Sequence, residues 1–157
     1  MEQRIVVGVD ASSHSVEALR RAVDEARWRG GALHVVHAFA PPEPVAAWPV
    51  MPEHGTDTVD VEGEREKANE RLGKWLEELD IDLAGVDVEW SVVADKKPSR
   101  ALVDASADAD LIVVGSRGRG GFAGLRLGST SEQVTRHAQC PVLVIREKEK
   151  AKRRRKG

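Results

Sequence analysis

A single cysteine, Cys140, occurs in the 157 residues. No intrachain disulfide can form, which fits a reducing compartment and a cytoplasmic location. Long apolar runs are also missing. None approaches the roughly 20 residues that span a bilayer. The start, "MEQRIVVGVD", lacks the layout of a signal peptide, because its apolar run is short and leads straight into Asp10. Nor is one sign of charge in large excess, the net charge being −2. That balance hides an asymmetry. Residues 148–157 carry seven Lys/Arg against one Glu, a net of +6, so the other 147 residues carry 17 − 25 = −8. An acidic body with a basic tail does not have the composition of a nucleic-acid-binding domain. The tail reads as a disordered, solvated end, with contact to nucleic acid, a membrane or an acidic partner as the alternatives.

Several chemical signatures are absent as well. No internal repeat is visible. Walker A is missing, since no Lys-Ser/Thr follows a G-x4-G spacing. The five histidines, His14, His34, His37, His54 and His137, show no H-E-x-x-H spacing, and no protein-built metal site is expected. A Rossmann-type G-x-G-x-x-A exists at Gly118, Gly120 and Ala123. Gly124 and Gly128 oppose an immediate helix there, and Ala138 stands where an acid is needed.

What is present alternates. "RIVVGVD" (4–10) reads as a buried strand. A helix follows, with Val16, Leu19, Val23 and Ala26 on one face, Ser12 or Ser13 at its start and Gly30-Gly31 at its end. "ALHVVHAF" (32–39) is a second strand. Residues 40–60 break the pattern with five prolines, an unusually long loop containing Trp48. The next helix places Ala68, Leu72, Trp75, Leu76 and Leu79 on one side. A strand (85–93), a short helix opening at Pro98, a strand (111–115), a glycine-rich stretch, a helix and a last strand complete the chain. Trp28, Trp75 and Trp90 read as packing residues, and Cys140 as a buried, inert thiol.

This β-α-β-α-β-α-β-α-β order predicts one α/β domain over residues 1–147. Its open, doubly wound five-stranded parallel sheet would be flavodoxin- or Rossmann-like, of order 3-2-1-4-5, with helices on both faces. Asp10 would end the first strand and Gly115 the fourth. Ligands of such sheets bind in the crevice at that point.

The stretch "VVGSRGRGGFAGLRLGSTSEQV" (113–134) follows the most apolar strand. Gly115, Gly118 and Gly128, with Ser129-Thr130, form G-x2-G-x9-G-[ST]. Gly115 leaves room for a ring or ribose, and Gly118 lets the backbone turn with its N–H outward. Ser129 and Thr130 open a helix, where N–H groups and the positive dipole end gather. The spacing alone admits a phosphate cradle or a structural glycine loop. Asp10 alone admits a helix cap or a ribose ligand.

"IVVGVDASSHS", "LHVVHAF" and "ADLIVVGSRGRGGFAGLRLGSTSEQVTRHAQCPVLVIR" together resemble the universal stress protein family, from about Ile5 to Arg146. The intact glycine pattern is similar to that of the family's ATP-binding branch. The resemblance implies nucleotide contacts at Gly8, Val9, Asp10, Ala38, Val114, Gly115, Gly118, Gly128, Ser129 and Thr130, with His37 near the base. It also implies ATP with Mg²⁺ on the phosphates and a homodimer through Pro141–Arg146. Arg117, Arg119 and Arg126 make the loop more basic than the motif demands. They either screen phosphate charge or face solvent, and Arg117 is included among the candidate contacts.

The resulting expectation is a nucleotide-dependent regulatory protein of the stress response, with no dedicated catalytic residue. The loop offers no Asp, Glu, Gln or His between Gly115 and Ser131 to act as a base. A weak ATP-hydrolysing enzyme and a nucleotide-free stress dimer are the alternatives. Neither a membrane nor a nucleic-acid partner is expected.

Overall fold

The computed structural model describes residues 2–43, 59–117 and 127–146. Gly118, Arg119, Arg126, Trp48 and the basic tail 148–157 lie outside the described residues, as does most of the proline-rich stretch. The elements are β1 (Arg4–Gly8), α1 (Ser13–Arg29), β2 (Ala32–Phe39), α2 (Val61–Glu78), β3 (Asp87–Ala94), α3 (Pro98–Ala105), β4 (Leu111–Gly115), α4 (Ser129–His137) and β5 (Val142–Ile145). All strand pairs are parallel, in the order β3-β2-β1-β4-β5. This is the expected doubly wound sheet.

Strand alternation splits the apolar residues between two faces. Ile5, Val7 and Val9, Leu33 and Val35, and Leu111 and Val113 pack against α1 and α2. Val6, Val36, Ile112 and Val114 pack against Leu102 of α3 and Val134 of α4. Each fully buried Val, Leu or Ile contributes about 1.5–3 kcal/mol. The near-continuous apolar runs of β1 and β4 thus follow from burial on both faces.

The two glycines after α1 have different reasons. Gly30 takes φ 61°, and the N–H groups of Gly30 and Gly31 return to the carbonyls of Arg27 and Ala26. This is a Schellman closure. At Gly31 a Cβ would stand 2.3 Å from the Gln3 carbonyl oxygen, which the turn to β2 approaches.

The tryptophans do not all pack as the sequence suggests. Trp75 packs on the core. Trp28 is 64% exposed, off the buried stripe of α1, with the Arg21 guanidinium 4.9 Å from its ring centre. Trp90 is 45% exposed on the edge strand β3 and donates its indole N–H to Asn69 of α2 at 3.0 Å. Cys140 is half-buried beside the second apolar cluster. Desolvation, then the charge of Asp110, pushes its thiol pKa up. A protonated thiol is a poor nucleophile.

Candidate functional site

The C-terminal ends of β1 and β4 lie side by side, Val7 pairing with Val113. This is where the strand order reverses, so α1 leaves on one face and α4 on the other. The crevice outside these ends collects Gly8, Val9 and Asp10 from β1 and Val114, Gly115 and Arg117 from β4. Gly128, Ser129 and Thr130 enter from the start of α4.

Two hydrogen bonds organise the β4 side. The Ser116 N–H donates to the Ile145 carbonyl at 2.7 Å, and the Ser116 carbonyl accepts from the Gly128 N–H at 2.7 Å. The glycine-rich excursion therefore leaves and returns at one point. Ser131 reinforces it. Its buried hydroxyl has the Gly128 carbonyl at 3.0 Å and the Ser116 carbonyl at 3.3 Å as acceptors. Gly128 is the N-cap of α4, and the first intrahelical bond runs from Glu132 N–H to Gly128 carbonyl at 2.9 Å. The N–H groups of Ser129, Thr130 and Ser131 have no acceptor within the helix. Such free N–H groups, with the positive end of the helix dipole, favour oxygen-rich anions. Ser129 and Arg117 are exposed and Thr130 is half-buried.

On the β1 side Asp10 is held from several directions. Its Oδ1 accepts from the Ser12 N–H at 2.9 Å, from the Ser15 hydroxyl at 2.5 Å and from the Ser12 hydroxyl. The Asp10 N–H donates to Ser15 Oγ at 2.9 Å. Ser12 is the N-cap of α1 but caps nothing with its side chain, because its hydroxyl turns back to Asp10. Asp10 thus organises the start of α1 from two residues upstream. Between them Ala11 sits at φ 58°, in the left-handed region. Strained backbone of this kind clusters at functional sites.

At both strand-end glycines a side chain would meet other parts of the chain. A Cβ at Gly8 would come within 2.6 Å of Leu102 Cδ1, so α3 fills the space. A Cβ at Gly115 would meet the carbonyl oxygens of His14 at 3.2 Å and Arg117 at 3.3 Å. The room left by Gly115 admits the first turn of α1. Val9 turns its side chain into the core, its N–H donating to the Val36 carbonyl at 3.0 Å. Its carbonyl lies 2.9 Å from His37 Nδ1. A carbonyl only accepts, so Nδ1 carries the proton in this contact. Ala38 lies two residues beyond Val36, the partner of Gly8. Ser15, Ser116 and Ser131 escaped the sequence reading. Their only trace was serine spacing, D-x-S-x-x-S at the first turn and S-T-S at the second.

Glu132, in the first turn of α4, pairs with Arg136 at 2.9 Å. Among the described residues no group of three or more His, Cys, Asp or Glu is arranged to hold a metal ion. No helix among them is long and apolar enough to cross a membrane.

The model of the universal stress protein family matches residues 1–146. A universal stress protein of Mycobacterium tuberculosis is 41% identical over 143 residues, covering 91% of this chain and 45% of its own length. The chain thus spans less than half of that relative. Among solved structures, a universal stress protein in complex with cAMP is 28% identical with a TM-score of 0.58, over 92% of this chain and 97% of the other. The universal stress protein from Archaeoglobus fulgidus in complex with dAMP is 28% identical with a TM-score of 0.53, over 91% and 97%.

Proposed function

The chain belongs to the universal stress protein family, and from that premise we propose that it binds an adenine nucleotide, ATP carried with Mg²⁺, and acts as a nucleotide-dependent regulator. The observation that carries this reading is the convergence on one crevice of the Asp10 turn, at the end of β1, and the α4 N-terminus, which the Ser116–Gly128 hydrogen bond ties to the end of the neighbouring strand β4. Asp10 accepts hydrogen bonds from ribose hydroxyls. The backbone around Val9 and Ala38, with His37 behind it, forms the base side. Val114 and Gly115 floor the middle. The N–H groups of Ser129 and Thr130, their hydroxyls and Arg117 take the phosphates. The cAMP and dAMP complexes of related proteins support an adenine ligand.

Mg²⁺ would arrive on the nucleotide's phosphates, which the start of α4 and Arg117 would hold. Such a mode suits a small cation that keeps several waters. Its contribution is to neutralise phosphate charge. The chain's own residues orient the nucleotide through Asp10 and hold its phosphates at the helix start.

Regulation follows from packing. Val134 of α4 shares an apolar cluster with Val142 and Val144 of β5. Phosphates that fix the first turn of α4 therefore act on the edge strand. β5 leaves its four residues half-buried, which supports a homodimer through Pro141–Arg146. A ligand shifts such an association only by its differential affinity for the two states.

The test is direct. The purified protein is denatured and the released small molecules are chromatographed, and calorimetry with ATP and Mg²⁺ is run on the emptied protein. Adenine nucleotide in the first measurement or saturable binding in the second is expected. Neither appearing would overturn the reading. Sedimentation with and without ATP reads the coupling to dimerisation.

A further inference from the structure

Ser15 lies in the first turn of α1 and is 6% exposed. Its hydroxyl is used in both directions by one residue. It accepts from the Asp10 N–H at 2.9 Å and donates to Asp10 Oδ1 at 2.5 Å. Its own N–H donates to the Ser12 carbonyl at 3.1 Å, which ties it to the helix start. The side chain of Asp10 leaves the strand end after β1, followed by Ala11 at φ 58°. Nothing in β1 itself would choose a rotamer for that carboxylate. The bond pair to Ser15 does so, because a single hydroxyl within reach of both the backbone N–H and Oδ1 restricts the side-chain torsion.

We infer that Ser15 is a positioning residue for ligand recognition: its hydroxyl sets the Asp10 carboxylate in the orientation that meets the ribose hydroxyls of the nucleotide. The inference rests on the nucleotide reading above. Ser15 touches no ligand itself. It acts through Asp10, and its effect is therefore confined to the part of the affinity that Asp10 supplies. A carboxylate released from Ser15 keeps its bonds to Ser12 but loses the buried one, and ligand binding must then supply the lost restraint. Ser12 also donates to the same oxygen, but from the sequence neighbour of the turn and at the helix cap. Ser15 alone among the two is buried in the α1 packing, so its hydroxyl is the fixed reference.

The experiment compares ATP with 2′,3′-dideoxy-ATP, which keeps base and triphosphate but lacks both ribose hydroxyls. Calorimetry with Mg²⁺ is run on the full chain and on Ser15→Ala, with thermal melting as a folding check. The unaltered protein should prefer ATP. In Ser15→Ala the ATP affinity should fall roughly tenfold, while dideoxy-ATP affinity stays within about twofold, erasing the preference. A merely structural residue would weaken both ligands alike, and that result would overturn the inference. So would unchanged ATP binding in a folded Ser15→Ala variant, or an unaltered protein that does not distinguish the two ligands. Binding of neither ligand by the unaltered protein would instead strike the nucleotide reading itself and take this inference with it. Ser15→Cys preserves the buried volume with a poor donor, and should show the same selective loss if alanine prevents folding. Failure of both variants to fold would make Ser15 structural and end the proposal.

Discussion

The backbone N–H of Gly128 donates to the carbonyl of Ser116 at 2.7 Å, so the glycine-rich excursion closes on itself at the end of β4. The buried Ser131 hydroxyl reaches both residues. A cradle for phosphates needs its N–H groups held in place before the ligand arrives, because ordering them on binding would subtract from affinity.

Ser131→Ala tests that closure. The variant loses a hydroxyl whose two acceptors keep other donors or helix geometry. We expect a loss of about 1 kcal/mol, read as a lower urea midpoint at unchanged slope. Nucleotide affinity should fall in the same variant. An unchanged midpoint would show that the hydroxyl contributes nothing.

Ala11→Gly should stabilise the protein. The left-handed region costs an alanine about 1–2 kcal/mol. Glycine's greater freedom in the unfolded chain offsets part of this, leaving a net gain of about 0.5–1 kcal/mol in chemical denaturation. Ala11→Val should destabilise, since a β-branched side chain tolerates this φ worse.

Gly8 is predicted to matter through α3. Gly8→Ala places a methyl 2.6 Å from Leu102 Cδ1, and should cost about 1–3 kcal/mol by overpacking. Combined with Leu102→Ala, the two losses should sum to more than the double variant shows. Strict additivity in a double-mutant cycle would place the strain elsewhere.

His34 makes stability depend on pH. Its Nδ1 accepts from the Arg4 guanidinium at 2.6 Å and its Nε2 lies 2.9 Å from Ser91 Oγ. Burial, and then the Arg4 charge, lowers its pKa below the usual 6.5, with Glu89 opposing. The folded state therefore binds fewer protons than the unfolded state just below pH 6.5. The contribution is fully present above that value. It is lost as pH falls from 6.5 through the lowered folded pKa. Urea midpoints of the protein should drop across this window. His34→Gln should flatten the dependence, and an equal drop in that variant would assign it to other groups.

Much of this was legible in the chain. The apolar runs of β1 and β4 and the helical stripe of α2 carry local periodicities, and periodicity is a property of neighbours in sequence. The right-handed crossover rule then leaves few sheet orders. Gly128 with Ser129 and Thr130 marked a helix start for the same local reason.

The serines and glycines of the crevice were less legible. Ser15 and Ser131 read as ordinary helix residues until the ends of β1 and β4 are brought beside α1 and α4. The space at Gly8 belongs to Leu102, far away in sequence, and the room at Gly115 admits the turn at His14. Trp28 reads as a core residue by composition, yet it leaves the stripe of α1 and stacks with Arg21 outside. By itself the sequence determined the elements, their order and the glycine spacing, because these arise from local pattern and chain chirality. The tertiary structure alone decided which carbonyl closes the glycine loop and what fills the space at Gly8 and Gly115. Hydrogen bonds act over about 3 Å, and only packing of distant elements brings such partners within that reach.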